Sequence, residues 1–159
     1  MVDVEFVNPF IHSTINVFKT MVFMDVLRGR PYLKQQTTGP RSDISGSIGL
    51  AGKTNGVVAV IFQEEVACKI SENMLQEAHN TIDDTVKDTI GELANMIAGG
   101  AKGIMAEKGL NFTIALPSVV VGADHTISYP NGVPCMIIPF KIPKIDKEFH
   151  VEVCLKSSS

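Results

Sequence analysis

No stretch of this 159-residue chain approaches the roughly 20 consecutive apolar residues that a membrane-spanning helix needs. The opening residues Met1 to Val7 carry Asp3 and Glu5 where a secretory signal would carry basic side chains, so the expected location is the cytoplasm. A large excess of charge of one sign is missing as well. The net charge of -3 is spread along the chain, which leaves no basic stripe for a nucleic acid. Only three cysteines are present, Cys68, Cys135 and Cys154, with no C-x-x-C among them. An odd number without a framework is expected to stay reduced and to pack as small apolar residues. The four histidines, His12, His79, His125 and His150, lack the i,i+4 or short-loop spacing of a metal site and read as surface or capped residues. Gly99 to Gly103 lacks the Lys-Ser/Thr ending of a phosphate loop, and Ser118 has no evident His and acidic partners for serine catalysis.

What remains is an ordinary globular chain, 45% hydrophobic and 19% charged, of a length that suits one domain. Residues 1–156 are expected to form it, with Ser157 to Ser159 as a disordered tail. Asn8-Pro9 reads as a cap followed by proline at the first helical position, opening a helix to about Val22. Tyr32 to Thr37 and Asp43 to Leu50 read as strands, with Asn55-Gly56 as a hairpin signal before a continuous apolar strand from Val57 to Phe62 that should be central in its sheet. A helix is predicted from about Glu64 to Gln76 and a longer one from about Asp83 to Lys108, ending at Gly109. Asp83 and Asp84 suit the positive first turn of that helix. Phe112 to Ala115, Ser118 to Val121, Cys135 to Ile142 and Phe149 to Leu155 complete the strands, with Pro130-Asn131-Gly132 as a turn. Several strands with few βαβ crossovers predict the α+β class: a mostly antiparallel sheet with long helices packed on one face.

The segment Asp88 to Lys102 is the richest in chemistry. At about 100° per residue, Ile90, Leu93, Ala94, Ile97, Ala101, Ile104 and Met105 form a stripe to bury, and Asp88, Glu92, Asn95, Gly99 and Lys102 fall on the other side. Glu92 and Asn95, three apart, are neighbours there. An Asn and a glycine pair, Gly99 and Gly100, are poor choices for a plain solvated helix, where each glycine costs about 1 kcal/mol relative to alanine. Something is therefore expected to approach this face closely. A plainer alternative makes Glu92 a solubilising charge and lets the glycines admit another part of the same protein.

The spacing D-x-x-x-E-x-x-N at Asp88, Glu92 and Asn95, with Pro117 22 positions beyond the Asn, resembles the signature of the CheC, CheX and FliY chemotaxis phosphatases. The opening helix with its N-P-F-I from Asn8 is similar to that family too. A single copy of the Glu and Asn pair resembles the CheX branch, since the first helix offers Ser13 and Asn16 at that spacing and no Glu. One active centre per chain is expected.

The resemblance implies a CheC-like/CheX-like domain that removes phosphate from phosphorylated CheY, a response regulator. In the family the aspartyl phosphate and its Mg²⁺ belong to the regulator, so this chain is expected to bind no cofactor itself. Hydrolysis of an acyl phosphate needs a water held in line with phosphorus and anionic oxygens that are neutralised. A carboxamide such as Asn95 can accept from and donate to that water without adding negative charge. The resemblance gives Glu92 a docking role toward a basic residue of the regulator, while Asp88 and Pro117 support the helix start and a turn near the site. It also implies a homodimer joined through sheet edges, with the motif helix left free. Two rival expectations remain: a non-catalytic regulator-binding or flagellar-switch-type module, and a helix face that serves as an oligomer interface, burying Gly99 and Gly100 against a second copy.

Overall fold

The structure, a computed structural model, describes residues 4–34, 39–129 and 133–157. The first helix, α1, spans Val4–Val17 and passes into a π-helical turn, Phe18–Val22. It begins earlier than Asn8, and Pro9 lies inside it. A proline there forfeits one backbone hydrogen bond. The burial of Val7, Phe10 and Ile11 holds the turns on either side of it against the core. Two short strands follow, β1 (Leu27–Arg28) and β2 (Tyr32–Leu33), and then the long hairpin of β3 (Ser42–Gly52) and β4 (Thr54–Phe62). The hairpin turns at Lys53, two residues before Asn55-Gly56. Asn55 acts as a side-chain acceptor for the Gly52 N–H at 3.3 Å, and Gly56 sits within β4, where a Cβ would lie 2.4 Å from the Cys154 carbonyl oxygen.

Helices α2 (Glu64–Leu75) and α3 (Asp84–Glu107) follow, then β5 (Phe112–Ile114), β6 (Ser118–His125), β7 (Cys135–Ile142), a 3₁₀ turn at Pro143–Ile145 and β8 (Lys147–Ser157). Tyr32 to Leu33 is strand as predicted, while residues 35–37 and the turn at 130–132 lie outside the described residues. The expectation of a disordered tail from Ser157 is corrected at its first residue, since Ser157 pairs with Thr54 at the end of β8, and residues 158 and 159 lie outside the described residues. No helix among the described residues is long and apolar enough to cross a membrane.

The strands form one antiparallel sheet in the order β1-β7-β8-β4-β3-β5, with β2 also on β7 and β6 also on β3. Thus β4, the continuous apolar strand, is central. One face carries Phe149, Val151, Val153 and Leu155 of β8 into the core, with Val58, Val60 and Phe62 of β4 and the apolar stripe of α3. The helices cover that face. Gly46 of β3 lets α3 come close, since a Cβ there would stand 3.1 Å from the Ile90 carbonyl oxygen and 3.3 Å from the Ala94 methyl. Asp43 of β3 supplies the cap that α2 lacks locally: its carboxylate accepts from the Glu64 N–H at 2.8 Å and from the Asp124 N–H at 3.0 Å, and these bonds hold its carboxyl below the usual range.

The expectation of three reduced cysteines is corrected. Cys135 and Cys154 stand directly opposite on β7 and β8, Cα atoms 4.1 Å apart, and are joined as a disulfide, while Cys68 is free and buried. Sequence carries no strand register, so the pairing was invisible without the sheet.

The face of the sheet away from the helices holds a buried ion pair. Lys34 Nζ stands 2.6 Å from Glu152 Oε1, with the Glu152 side chain fully buried and the Lys34 side chain 11% exposed. The pair lacks hydrogen-bond alignment, and Lys34 also donates to the Ile127 carbonyl. Burial pushes the Glu152 carboxyl up, and Lys34 opposes that shift. Lys34→Met is therefore expected to destabilise the protein by about 3 kcal/mol at neutral pH, because an uncompensated carboxylate remains buried. The sign follows from the raised folded-state value. Between the ordinary 4.5 and that value the folded protein holds more protons than the unfolded chain, so stability falls as pH rises through the window. The difference in Tm between Lys34→Met and the native chain should shrink toward pH 4.5 and grow as pH rises above it, which thermal unfolding across pH measures.

Candidate functional site

Helix α3 is built for its place. Asp83 caps it, one carboxylate oxygen accepting from the Val86 N–H at 2.9 Å and the other 2.6 Å from His79 Nδ1, and these contacts lower its carboxyl. Gly109, at φ +80°, follows its C-terminal end. Ile90, Leu93, Ala94, Ile97, Ala101 and Met105 are buried along one side, as the periodicity predicts, while Ile104, expected in the same stripe, is only half-buried.

The opposite side holds the motif residues. Asp88 and Glu92 are exposed and Asn95 is half-buried. Neither Glu92 nor Asn95 makes a side-chain hydrogen bond or ion pair with a described residue. A half-buried carboxamide without a protein partner must find its hydrogen bonds in water or in a bound molecule.

The two flanks of this face are set by glycines with different duties. Gly100 lies on the flank of α1: a Cβ there would stand 2.2 Å from Ser13 Oγ, and Ser13 itself is buried and donates to the Ile97 carbonyl at 2.6 Å. Ser13 thus pins α1 to α3, and its helical neighbour Asn16 is exposed. Gly99 meets nothing within 4 Å, nor does Gly103. The close approach at Gly100 comes from within the protein, as the plainer alternative has it, whereas Gly99 faces open space.

On the other flank stands Pro117. Gly91, which helix spacing alone does not mark, is buried, and a Cβ there would lie 3.3 Å from Val119 Cγ2 and 3.9 Å from Pro117 Cβ and Cγ. Asn95 is one turn beyond Gly91 on the same side of the helix, and Glu92 is its neighbour in sequence. The fold therefore brings Pro117 beside the Asp88, Glu92 and Asn95 face.

Pro117 ends a β-bulge. Ile114 pairs with Leu50 and Ser118 with Ser47, so four steps along β5–β6 answer three along β3. A residue without an N–H fits such a break in the ladder. Periodicity reports only which face a strand buries, and no signal in the sequence locates a bulge whose extra residue depends on the partner strand.

Other polar groups lie elsewhere. Ser45 Oγ and His125 Nε2 stand 2.8 Å apart, with His125 Nδ1 2.6 Å from the Gly122 carbonyl. Ser45 is 1% exposed, and it alternates with Gly46, so it faces away from α3. It clasps β6 to β3. Burial lowers the His150 imidazole's pKa, against a smaller upward pull from Glu148. Among the described residues no group of three His, Cys, Asp or Glu side chains could hold a metal ion.

The chain is 38% identical to a CheC-like superfamily protein from Shewanella sp. PV-4, with a TM-score of 0.90 over 98% of this chain and 99% of that one. It is 39% identical to the chemotaxis protein CheX from Vibrio vulnificus, with a TM-score of 0.89 over 96% and 100% of the two chains. It is 26% identical to a chain of the CheX–CheY–BeF₃–Mg²⁺ complex from Borrelia burgdorferi, with a TM-score of 0.82 over 97% and 99%. No curated protein matches it. A family model described as Chemotaxis phosphatase CheX matches residues 44–141, which hold most of β3, the whole of α3 and the bulge at Pro117, and the chain belongs to that family.

Proposed function

We propose that this protein hydrolyses the aspartyl phosphate of a phosphorylated CheY-type response regulator, with Asn95 holding the attacking water and Glu92 docking the regulator. The observation that carries the reading is the pairing of an exposed carboxylate with a half-buried carboxamide that has no partner among the described residues, on one open face of a helix, in a chain of the CheX family. The relative from Borrelia burgdorferi forms a complex with CheY, BeF₃ and Mg²⁺, which supports a receiver as the partner here.

The aspartyl phosphate is already activated, so positioning the water supplies most of what its hydrolysis requires. Asn95 accepts one hydrogen bond from the water and orients its lone pair toward phosphorus, while its neutrality avoids repelling the phosphoryl oxygens. Glu92, three residues earlier and more exposed, meets a basic side chain of the regulator. The Borrelia burgdorferi complex holds Mg²⁺ together with CheY and BeF₃, which supports Mg²⁺ arriving with the regulator's phosphoryl group. Asp88, one turn before Glu92, and Pro117, against Gly91, shape the platform and touch no reacting atom.

Copies of the chain are proposed to join through a sheet edge, leaving α3 free. Val120 and Val121 are exposed on β6 at one edge, and Leu27, Tyr32 and Leu33 at the other, which is the unprotected edge surface such pairing uses. Sedimentation should then give a dimer in which Glu92 and Asn95 remain accessible.

The test is the decay of a phosphorylated CheY-type regulator with Mg²⁺ present, with and without the protein. Accelerated decay supports the proposal, and binding without acceleration would leave a recognition module. Glu92→Ala is expected to raise the KM for the phosphorylated regulator about tenfold through loss of one interfacial charge pair, with a much smaller change in kcat.

A further inference from the structure

Leu116 is 88% exposed, the most exposed of the large apolar side chains in the described structure. Single exposed leucines are common on proteins. This one differs in how its backbone is held. Ala115 before it donates its N–H to the Gly49 carbonyl at 2.9 Å, which keeps the chain attached to β3 up to the bulge. Pro117 after it has a fixed φ and packs toward Gly91 of α3, and Ser118 re-enters the ladder opposite Ser47. Leu116 therefore sits at the apex of a bulge anchored on both sides. Bulges next to functional sites commonly re-aim a side chain, and here the re-aimed side chain is apolar and carried into solvent.

Its position relative to the site is fixed by the same contacts. Pro117 Cβ and Cγ lie 3.9 Å from where a Gly91 Cβ would stand, so the bulge lies against α3 at the residue before Glu92 and one turn before Asn95. The open face of α3 is thus bordered by α1, through Ser13 and Gly100, and by the bulge that carries Leu116. A partner that lays a charged surface against Asp88 and Glu92 comes up against that bulge.

We propose that Leu116 is the apolar anchor of regulator docking: it enters an apolar recess of the phosphorylated receiver beside its phosphoryl group while Glu92 meets the receiver's basic side chain. This rests on the proposed phosphatase reading and adds to it a second, chemically different contact. The pairing suits the task. A carboxylate alone gives attraction without register, whereas an anchored leucine a fixed distance from Asn95 sets where the phosphoryl group lies relative to the water. The side chain loses little freedom on binding because its backbone is already held. Leu116 touches no reacting atom, so it is a specificity and positioning residue.

The experiment measures steady-state dephosphorylation of a CheY-type regulator and, separately, binding of the same regulator activated with beryllofluoride and Mg²⁺. The native protein, Leu116→Ala, Leu116→Met and Leu75→Ala, a control at the exposed end of α2, are compared. Truncating a leucine buried on a partner should raise KM and Kd roughly tenfold or more, with kcat within about twofold. Leu116→Met should restore most of the affinity, and Leu75→Ala should match the native protein. Unchanged KM and Kd in Leu116→Ala, with an active native protein, overturn the anchor and leave the phosphatase reading standing. A changed sedimentation mass with unchanged KM would assign Leu116 to contact between copies and overturn it equally. A native protein that binds the activated regulator without speeding decay overturns the phosphatase reading alone, because the Kd comparison still decides the anchor; one that does neither overturns both.

Discussion

Asn95→Ala is expected to remove the acceleration of regulator dephosphorylation, lowering kcat by about 100-fold or more, while binding of the activated regulator stays within a few-fold of the native value. Misplacing a reactant by about 1 Å can cost that much. Alanine keeps the helix, since it is the better helix former, so the loss would not report unfolding. The carboxamide makes no hydrogen bond with a described residue, and its removal leaves no buried partner stranded in the protein. Asn95→Asp separates the roles further. It keeps the shape and the acceptor but adds negative charge beside the phosphoryl oxygens, and should be as inactive as Asn95→Ala while also binding more weakly. Asn95→Gln keeps the chemistry and moves it by one methylene, so partial activity is the expected result.

Phe149→Ala is the substitution expected to cost the fold most. The Phe149 ring, 1% exposed on β8, stacks on Phe18 at 4.7 Å and 12° and on Phe140 at 5.1 Å and 9°, and meets Phe62 at 5.2 Å and 31°. These partners come from the π-helical turn, β7 and β4, so one ring ties the end of α1 to three strands. Removing it leaves a cavity whose surroundings cannot all close in, and the cost of such a truncation is about 3–5 kcal/mol. For a chain of this size that is a fall in Tm of roughly 10 °C. Thermal unfolding followed by circular dichroism measures it. Activity per folded molecule should be little changed at low temperature, because α3 and the bulge at Pro117 do not rest on this ring. Taken with Asn95→Ala, the substitution separates stability from chemistry: one should lower Tm and spare kcat, the other the reverse.

Helix α3 was the most legible part of the chain. Its boundary residues Asp83 and Gly109 carry their own chemistry, and its apolar stripe repeats over 24 residues, enough for local rules to add up. The central strand β4 was legible for a related reason, a continuous apolar run in a short segment. What escaped depends on contacts between distant segments. Pro9 looked like a helix start because it suits a first turn, yet the burial of Val7 and Phe10 extended α1 behind it. Asn55-Gly56 looked like a hairpin tip, yet Gly56 is required by the approach of β8 and Asn55 by the Gly52 N–H. The pairing of Cys135 with Cys154 needed the β7–β8 register.

The candidate site divides along the same line. Asp88, Glu92 and Asn95 share a face because helix geometry alone puts them there. That Pro117 comes to stand beside them depends on a bulge against β3 that sets it near Gly91, which the spacing of four residues does not express. The adjacent glycines have separate duties that their spacing does not distinguish: Gly100 admits Ser13, and Gly99 faces outward.

The central claim is tested most directly by following loss of phosphate from a phosphorylated CheY-type regulator in Mg²⁺ as native protein or Asn95→Ala is added, with binding of the beryllofluoride-activated regulator measured in parallel. Decay that accelerates in proportion to native protein, and returns to the spontaneous rate with Asn95→Ala that still binds, is the predicted result. Equal acceleration by both proteins would contradict the water-positioning role of Asn95, and no acceleration by the native protein despite binding would contradict the phosphatase itself.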